Sequence, residues 1–149
     1  MRYRIVVGID GSPHGDAALR WSLNAAQARS GEVVAVFVWQ VPFVSIPGAF
    51  DRAELEETAK KFIVDSVSRI VPTPAIPLWT LVAEGDVVAS LVEASKEASL
   101  LVLGTNGRSR WSGRLIGSVT RRCLATAKCP VVLVTPSGEV TEYPPVKAR

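Results

Sequence analysis

The stretch GTNGRSRWSGRLIGS, Gly104 to Ser118, holds four glycines, three arginines and no acidic residue, and it follows directly on the apolar run LLVL. A phosphate is the group such a stretch can hold. Glycine lets main-chain N–H groups approach an anion closely, and successive N–H groups form an anion-binding nest. A helix opening at Gly117-Ser118 adds its N-terminus and a hydroxyl. Gly104, Gly107 and Gly117 are therefore the leading phosphate-site candidates, with Arg108 and Arg110 supplying attraction or direct contact. Any one of these glycines equally well serves a turn; their placement between a strand and a helix is what favours phosphate. The lysine-bearing Gly-Lys-Ser or Gly-Lys-Thr of an ATPase loop is absent. So is a GxGxxG after the first strand, where GIDGS is too short.

Other chemistry is sparse. There is one histidine, His14, and two cysteines, Cys123 and Cys129, which are not spaced as Cys-x-x-Cys. That is too few ligands for a zinc site, so a metal enters only as the companion of a phosphate ligand. His14, close to Asp10 and Asp16 at a helix start, reads as a solvated or capping side chain, and the cysteines read as packing residues. The chain carries 17 basic and 14 acidic residues, a net charge of +3. Arg108, Arg110, Arg114, Arg121 and Arg122 cluster within a short span. Such a cluster suits nucleic acid, but it is glycine-rich and carries no nucleic-acid motif, which favours one small anion. No apolar run approaches the roughly 18 residues of a membrane span, and MRYRIVVGIDG lacks a signal-peptide core. The expectation is a cytoplasmic protein with neither DNA nor membrane as partner.

These residues need elements to position them. Arg4–Ile9, Val33–Trp39, Leu78–Val82, Leu100–Leu103 and Val131–Val134 read as short, buried strands. Between them run helices: one opened by Ser12-Pro13 and stopped by Gly31, one over Asp51–Val71, one over Val87–Ala98 after the Glu84-Gly85-Asp86 turn, and one from Gly117-Ser118. Ala17, Trp21, Ala25 and Ala28 predict the packed face of the first helix. QVPFVSIPGAF, with Pro42 and Pro47, reads as a loop. Strand and helix alternate four times before a last strand. That order predicts an α/β, Rossmann-like open sheet, mostly parallel and five-stranded, with helices on both faces. One crevice should lie at the carboxyl ends of the strands, where Asp10, the end of the second strand and the glycine loop converge. Residues 1–135 are read as one nucleotide-binding domain and 136–149 as a polar tail with no evident core role.

From about Tyr3 to Val134 the chain resembles the universal stress protein family. The likeness lies in IVVGIDGSPHGDAAL, in the Glu84-Gly85-Asp86 turn, and above all in LLVLGTNGRSRWSGRLIGSVTRRCLATAKCPVVLV. There Gly104, Gly107 and Gly117-Ser118 match the family's Gly, two residues, Gly, nine residues, Gly-Ser pattern. The resemblance implies ATP as ligand, with Mg2+ as a companion of its phosphates. Asp10 matches the acidic residue that contacts the nucleoside, commonly its ribose, and Val38 the residue whose backbone contacts adenine. Gly104, Thr105, Asn106, Gly107, Arg108, Ser109 and Arg110 match the first phosphate loop. Gly117, Ser118, Val119 and Thr120 match the helix start that follows. It also implies a homodimer joined through Val131–Val134, the last strand pairing with its copy. A regulatory, ATP-binding role in stress response leads. A slow ATPase, a cAMP-binding protein and a nucleotide-independent dimeric interaction module stand as alternatives. FVSIPGAF, Asn106 and Trp111 are individual to this chain.

Overall fold

A computed structural model describes residues 2–41, 51–105 and 117–146. The element order is β1 (Arg4–Gly8), α1 (Pro13–Ala28), β2 (Glu32–Trp39), α2 (Arg52–Ile70), β3 (Leu78–Glu84), α3 (Val87–Ser95), β4 (Leu100–Gly104), α4 (Ser118–Thr126), β5 (Val131–Val134) and β6 (Val140–Tyr143). The sheet has the order β3-β2-β1-β4-β5-β6. Its first five strands are parallel, as the alternation of elements requires, and β6 joins antiparallel to β5.

Strand parity divides the core. Ile5, Val7, Val33, Ala35 and Val102 point to one face and pack beneath α1 and α2. Val6, Val36, Leu101, Leu103, Val131 and Leu133 point to the other, beneath α3 and α4. Burial on both faces explains why these strands read as continuous apolar runs. The edge strand β3 is covered less well: Trp79 is 58% and Leu81 44% exposed.

Three expectations change. The buried face of α1 is Gly15, Asp16, Ala18, Leu19, Ser22 and Ala26, one step around from the predicted stripe. Ala17, Trp21 and Ala25 pack at its flank, and Ala28 is exposed. Small side chains let the helix sit close to the sheet, and the bulk of Trp21 moves aside. Second, the sheet has six strands, because residues 140–143 of the expected tail form β6 and Tyr143 packs on the α3–α4 core. A turn makes this reversal: Thr135 N–H donates to the Glu139 carbonyl (3.0 Å) and Gly138, at φ +90°, donates to the Thr135 carbonyl. Third, Val131–Val134 is no open edge. It pairs with β4 on one side and β6 on the other, so pairing with a copy through this strand would first require β6 to leave.

At the opposite end of the sheet, Glu32 is only 5% exposed. Its carboxylate accepts from Arg4 Nε at 2.7 Å and Trp79 Nε1 at 3.2 Å. The Arg4 hydrogen bond, working against burial, holds its pKa below the ordinary 4.5. A depressed carboxylate pKa contributes stability that is present above the unfolded value and lost as pH falls through the folded one. Acid denaturation should therefore include a loss beginning near pH 4.5, and Glu32→Gln should flatten that part of the pH–stability curve when followed by urea unfolding.

Candidate ligand-binding site

The strand order reverses between β1 and β4, with β2 and β3 on one side and β5 on the other. Helices diverge at such a point and leave a crevice at the carboxyl ends of the strands. A cavity of about 460 Å³ occupies it, within the size range of small-molecule sites.

Asp10, 64% exposed, stands at the crevice where β1 turns into α1. Its Oδ1 accepts from the Ser12 N–H at 3.0 Å and from the Ser12 hydroxyl. Ser12 Oγ in turn accepts from the Gly15 N–H at 3.1 Å and caps α1. One carboxylate oxygen is thus fixed by the turn, which aims the other, Oδ2, at 3.9 Å from His14 Nε2. The turn-acceptor and ligand-contact readings of Asp10 are compatible, because they use different oxygens.

Val38 is placed by the pleat. The Ile9 N–H donates to the Val36 carbonyl (2.8 Å) on the β1 side of β2, and the Gly85 N–H donates to the Trp39 carbonyl (2.9 Å) on the β3 side. Peptide groups alternate sides along a strand, so those of Val38 point the same way as those of Val36. The β1 ladder ends at Gly8 opposite Val36. The N–H and C=O of Val38 therefore point beyond that ladder, toward the crevice, and Val38 lines it.

Across the crevice, α4 begins with Gly117 as its N-cap, at φ −60° and ψ 156°, with no side-chain cap. Ser118 is the first helical residue. The first N–H groups of α4 have no intrahelical partner. Gly117, Ser118, Val119 and Thr120 all line the cavity. Gly104 lines it too, pressed against α1: a Cβ built there would meet the His14 carbonyl oxygen at 2.2 Å. Thr105 follows, buried, with its N–H on the Val134 carbonyl at 2.9 Å. Asn106, Gly107, Arg108, Ser109 and Arg110 lie outside the described residues, as do Trp111 and Arg114.

Several contributors were not foreseen. Val87 and Leu91 of α3 and Leu103 of β4 supply an apolar wall, and His14 also lines the cavity. Asp86 caps α3 by accepting from the Ala89 N–H at 2.8 Å and pairs with Arg122 of α4 at 3.2 Å. Those two partners, the Ala89 N–H first, hold the Asp86 carboxyl below its ordinary range. The pair ties together the two helices that border the cavity, and it gives Arg122 a structural role. Cys123 and Cys129 are buried, as packing residues should be, and burial pushes the Cys123 thiol up to about 11. Among the described residues, no group of three His, Cys, Asp or Glu side chains could hold a metal. Among the described residues, no helix is long and apolar enough to cross a membrane.

The crevice therefore offers an apolar wall, a carboxylate, a pair of peptide groups on a strand edge and a helix N-terminus without a side-chain cap. Known proteins with this architecture bear on it. The sequence model of the universal stress protein family matches residues 1–135. A universal stress protein of Mycobacterium tuberculosis (strain ATCC 25618 / H37Rv) is 28% identical over 148 residues, 94% of this chain and 50% of its own length. The chain spans about half the length of the first curated relatives it matches. The solved universal stress protein UspA from Lactobacillus plantarum is 27% identical with a TM-score of 0.69, over 89% of this chain and 98% of that one. A universal stress protein solved in complex with cAMP is 26% identical with a TM-score of 0.67, over 91% and 98%. With the family pattern matched from residue 1 to 135 and the fold shared almost end to end, this chain belongs to the universal stress protein family.

Proposed function

We propose that the crevice binds an adenine nucleotide, ATP in the first place, and that the protein acts as a cytoplasmic regulatory member of its family in stress response. The observation that carries this is the convergence on one cavity of Asp10, the Val38 peptide groups and the open N-terminus of α4. Each suits a different part of a nucleotide. The Val38 N–H and C=O can read the polar edge of a base whose faces lie against apolar side chains. Asp10 Oδ2 can accept from ribose hydroxyls. The first N–H groups of α4, with Ser118, can receive phosphate. Mg2+ would enter with the phosphates, which suits an ion held mainly by phosphate oxygens and water. The cAMP-bound relative supports an adenine nucleotide and makes cAMP the second ligand to test.

Calorimetric titration of nucleotide-stripped protein with ATP and cAMP, with and without Mg2+, tests the proposal. Asp10→Asn keeps an oxygen for Ser12 but replaces the other with a donor. It should weaken binding by about tenfold, the worth of a hydrogen bond to a charged group. Binding of neither nucleotide by folded protein would overturn the proposal and leave the glycine loop a structural feature. Phosphate release proportional to protein concentration would convert the regulatory reading into that of a slow ATPase.

A further inference from the structure

His14 lies in the first turn of α1 and borders the crevice. Its main chain forms part of the first turn of α1, and its carbonyl oxygen is packed against Gly104, from which the glycine loop departs. Its side chain is 33% exposed, and His14 is one of the residues lining the cavity. Nε2 is 3.9 Å from Asp10 Oδ2, beyond hydrogen-bond reach. The first turns of α1 and α4 both border this cavity, and each presents the positive end of a helix dipole.

We infer that the imidazolium form of His14 contacts the anionic group of the ligand, so that affinity for phosphorylated nucleotides is linked to proton uptake. The inference rests on the nucleotide reading above. Of the described residues lining the cavity, Asp10 is the other titratable one; the lining segments of β2, α3, β4 and α4 bring none. Asp86 and Arg122, which adjoin those segments of α3 and α4, pair with each other, and Arg121 follows Thr120 on α4. Protonation adds positive charge beside the anion. Affinity should therefore rise as pH falls through the histidine range, roughly from pH 8 to pH 6. By linkage, the bound anion must shift the imidazole titration midpoint to higher pH.

His14 is the sole histidine, so one imidazole Cε1–H resonance reports it directly. Proton NMR titration of the full chain should show the midpoint moving up by about half a unit to one unit under saturating ATP, and staying in place with adenosine. The corresponding gain in ATP affinity by calorimetry is about three- to tenfold at pH 6 relative to pH 8. His14→Gln, which hydrogen-bonds but cannot charge, should lose this difference. The titration of ATP itself is common to both proteins and subtracts out. Bound ATP with an unmoved midpoint would overturn this inference while leaving the nucleotide reading intact. An absence of ATP binding at either pH would overturn both.

Discussion

Gly104→Ala is expected to destabilise the protein by about 3 kcal/mol, at the upper end for overpacking a close-packed site. The methyl group would stand 2.2 Å from the His14 carbonyl oxygen, 2.4 Å from the His14 carbonyl carbon and 2.7 Å from the Gly15 nitrogen. All three are backbone atoms, so no side-chain rotation relieves the clash. They belong to the first turn of α1, which the Asp10–Ser12–Gly15 hydrogen bonds fix to the end of β1. The methyl group can be accommodated only by lifting α1 from β4 or by bending β4 at its last residue. Either movement disturbs Leu19 and Val102, both fully buried. Urea unfolding should show a lower midpoint at unchanged slope, and the melting temperature should fall by roughly 10 °C for a chain of this size. A change below about 0.5 kcal/mol, the ordinary range of surface substitutions, would show that α1 does not approach β4 this closely.

This contact also marks what was legible in the sequence. IVVGI, LLVL and VVLV declare buried parallel strands because their own side chains fill both faces of the sheet. Ser12-Pro13 and Asp86 announce helix starts through side-chain chemistry that acts within three residues. Gly104 reads in the sequence as a phosphate-loop glycine, but its packing against α1 is invisible in one dimension. The partner is His14, and only the β1–β4 pairing brings the two together. The recruitment of His14 to the cavity was hidden for the same reason. The Asp86–Arg122 pair likewise depends on α3 and α4 lying side by side. On α1, hydrophobicity favoured the face with Trp21, whereas close packing on the sheet selects the small residues Gly15, Ala18, Ser22 and Ala26.

β6 escaped for a different reason. Val140–Tyr143 is short, and three of its four residues are exposed. It carries neither a sustained alternation nor a continuous apolar run, so its pattern is that of a loop. What makes it a strand is the edge of β5, which would otherwise leave a row of peptide groups unpaired. The apolar quartet of β5 is at most 5% exposed in this arrangement. The same quartet, taken alone, suggests a dimer-forming edge; with β6 in place, the outer edges of the sheet are β3 and β6.

Gly117→Asp should move stability and ligand affinity in opposite directions. Gly117 differs from Gly104 in every respect that matters to substitution. Its backbone is extended at φ −60° and ψ 156°, and an added Cβ meets no described atom within 4 Å. It is the N-cap of α4, a position where aspartate accepts from the second or third helical N–H and exceeds glycine by only a few tenths of a kcal/mol. The variant should therefore unfold at an equal or slightly higher urea concentration. Yet the new carboxylate would occupy the N–H groups proposed to receive phosphate and place a negative charge beside the ligand's own. Two like charges about 4 Å apart near a protein surface repel by roughly 4 kcal/mol before screening. A loss of about a hundredfold in ATP affinity, or about 2.7 kcal/mol, is the expected result. Adenosine, which brings no phosphate to α4, should bind both proteins within about twofold, since a uniform loss would require disturbance of the Asp10 and Val38 end as well. Unchanged ATP affinity in a folded variant would move the phosphates away from α4. Equal losses for ATP and adenosine would mean that the substitution closes the crevice instead of opposing charge. Selective loss for ATP, with stability retained, would locate the anion at the start of α4, which among the described helix starts lining the crevice has no side-chain cap of its own.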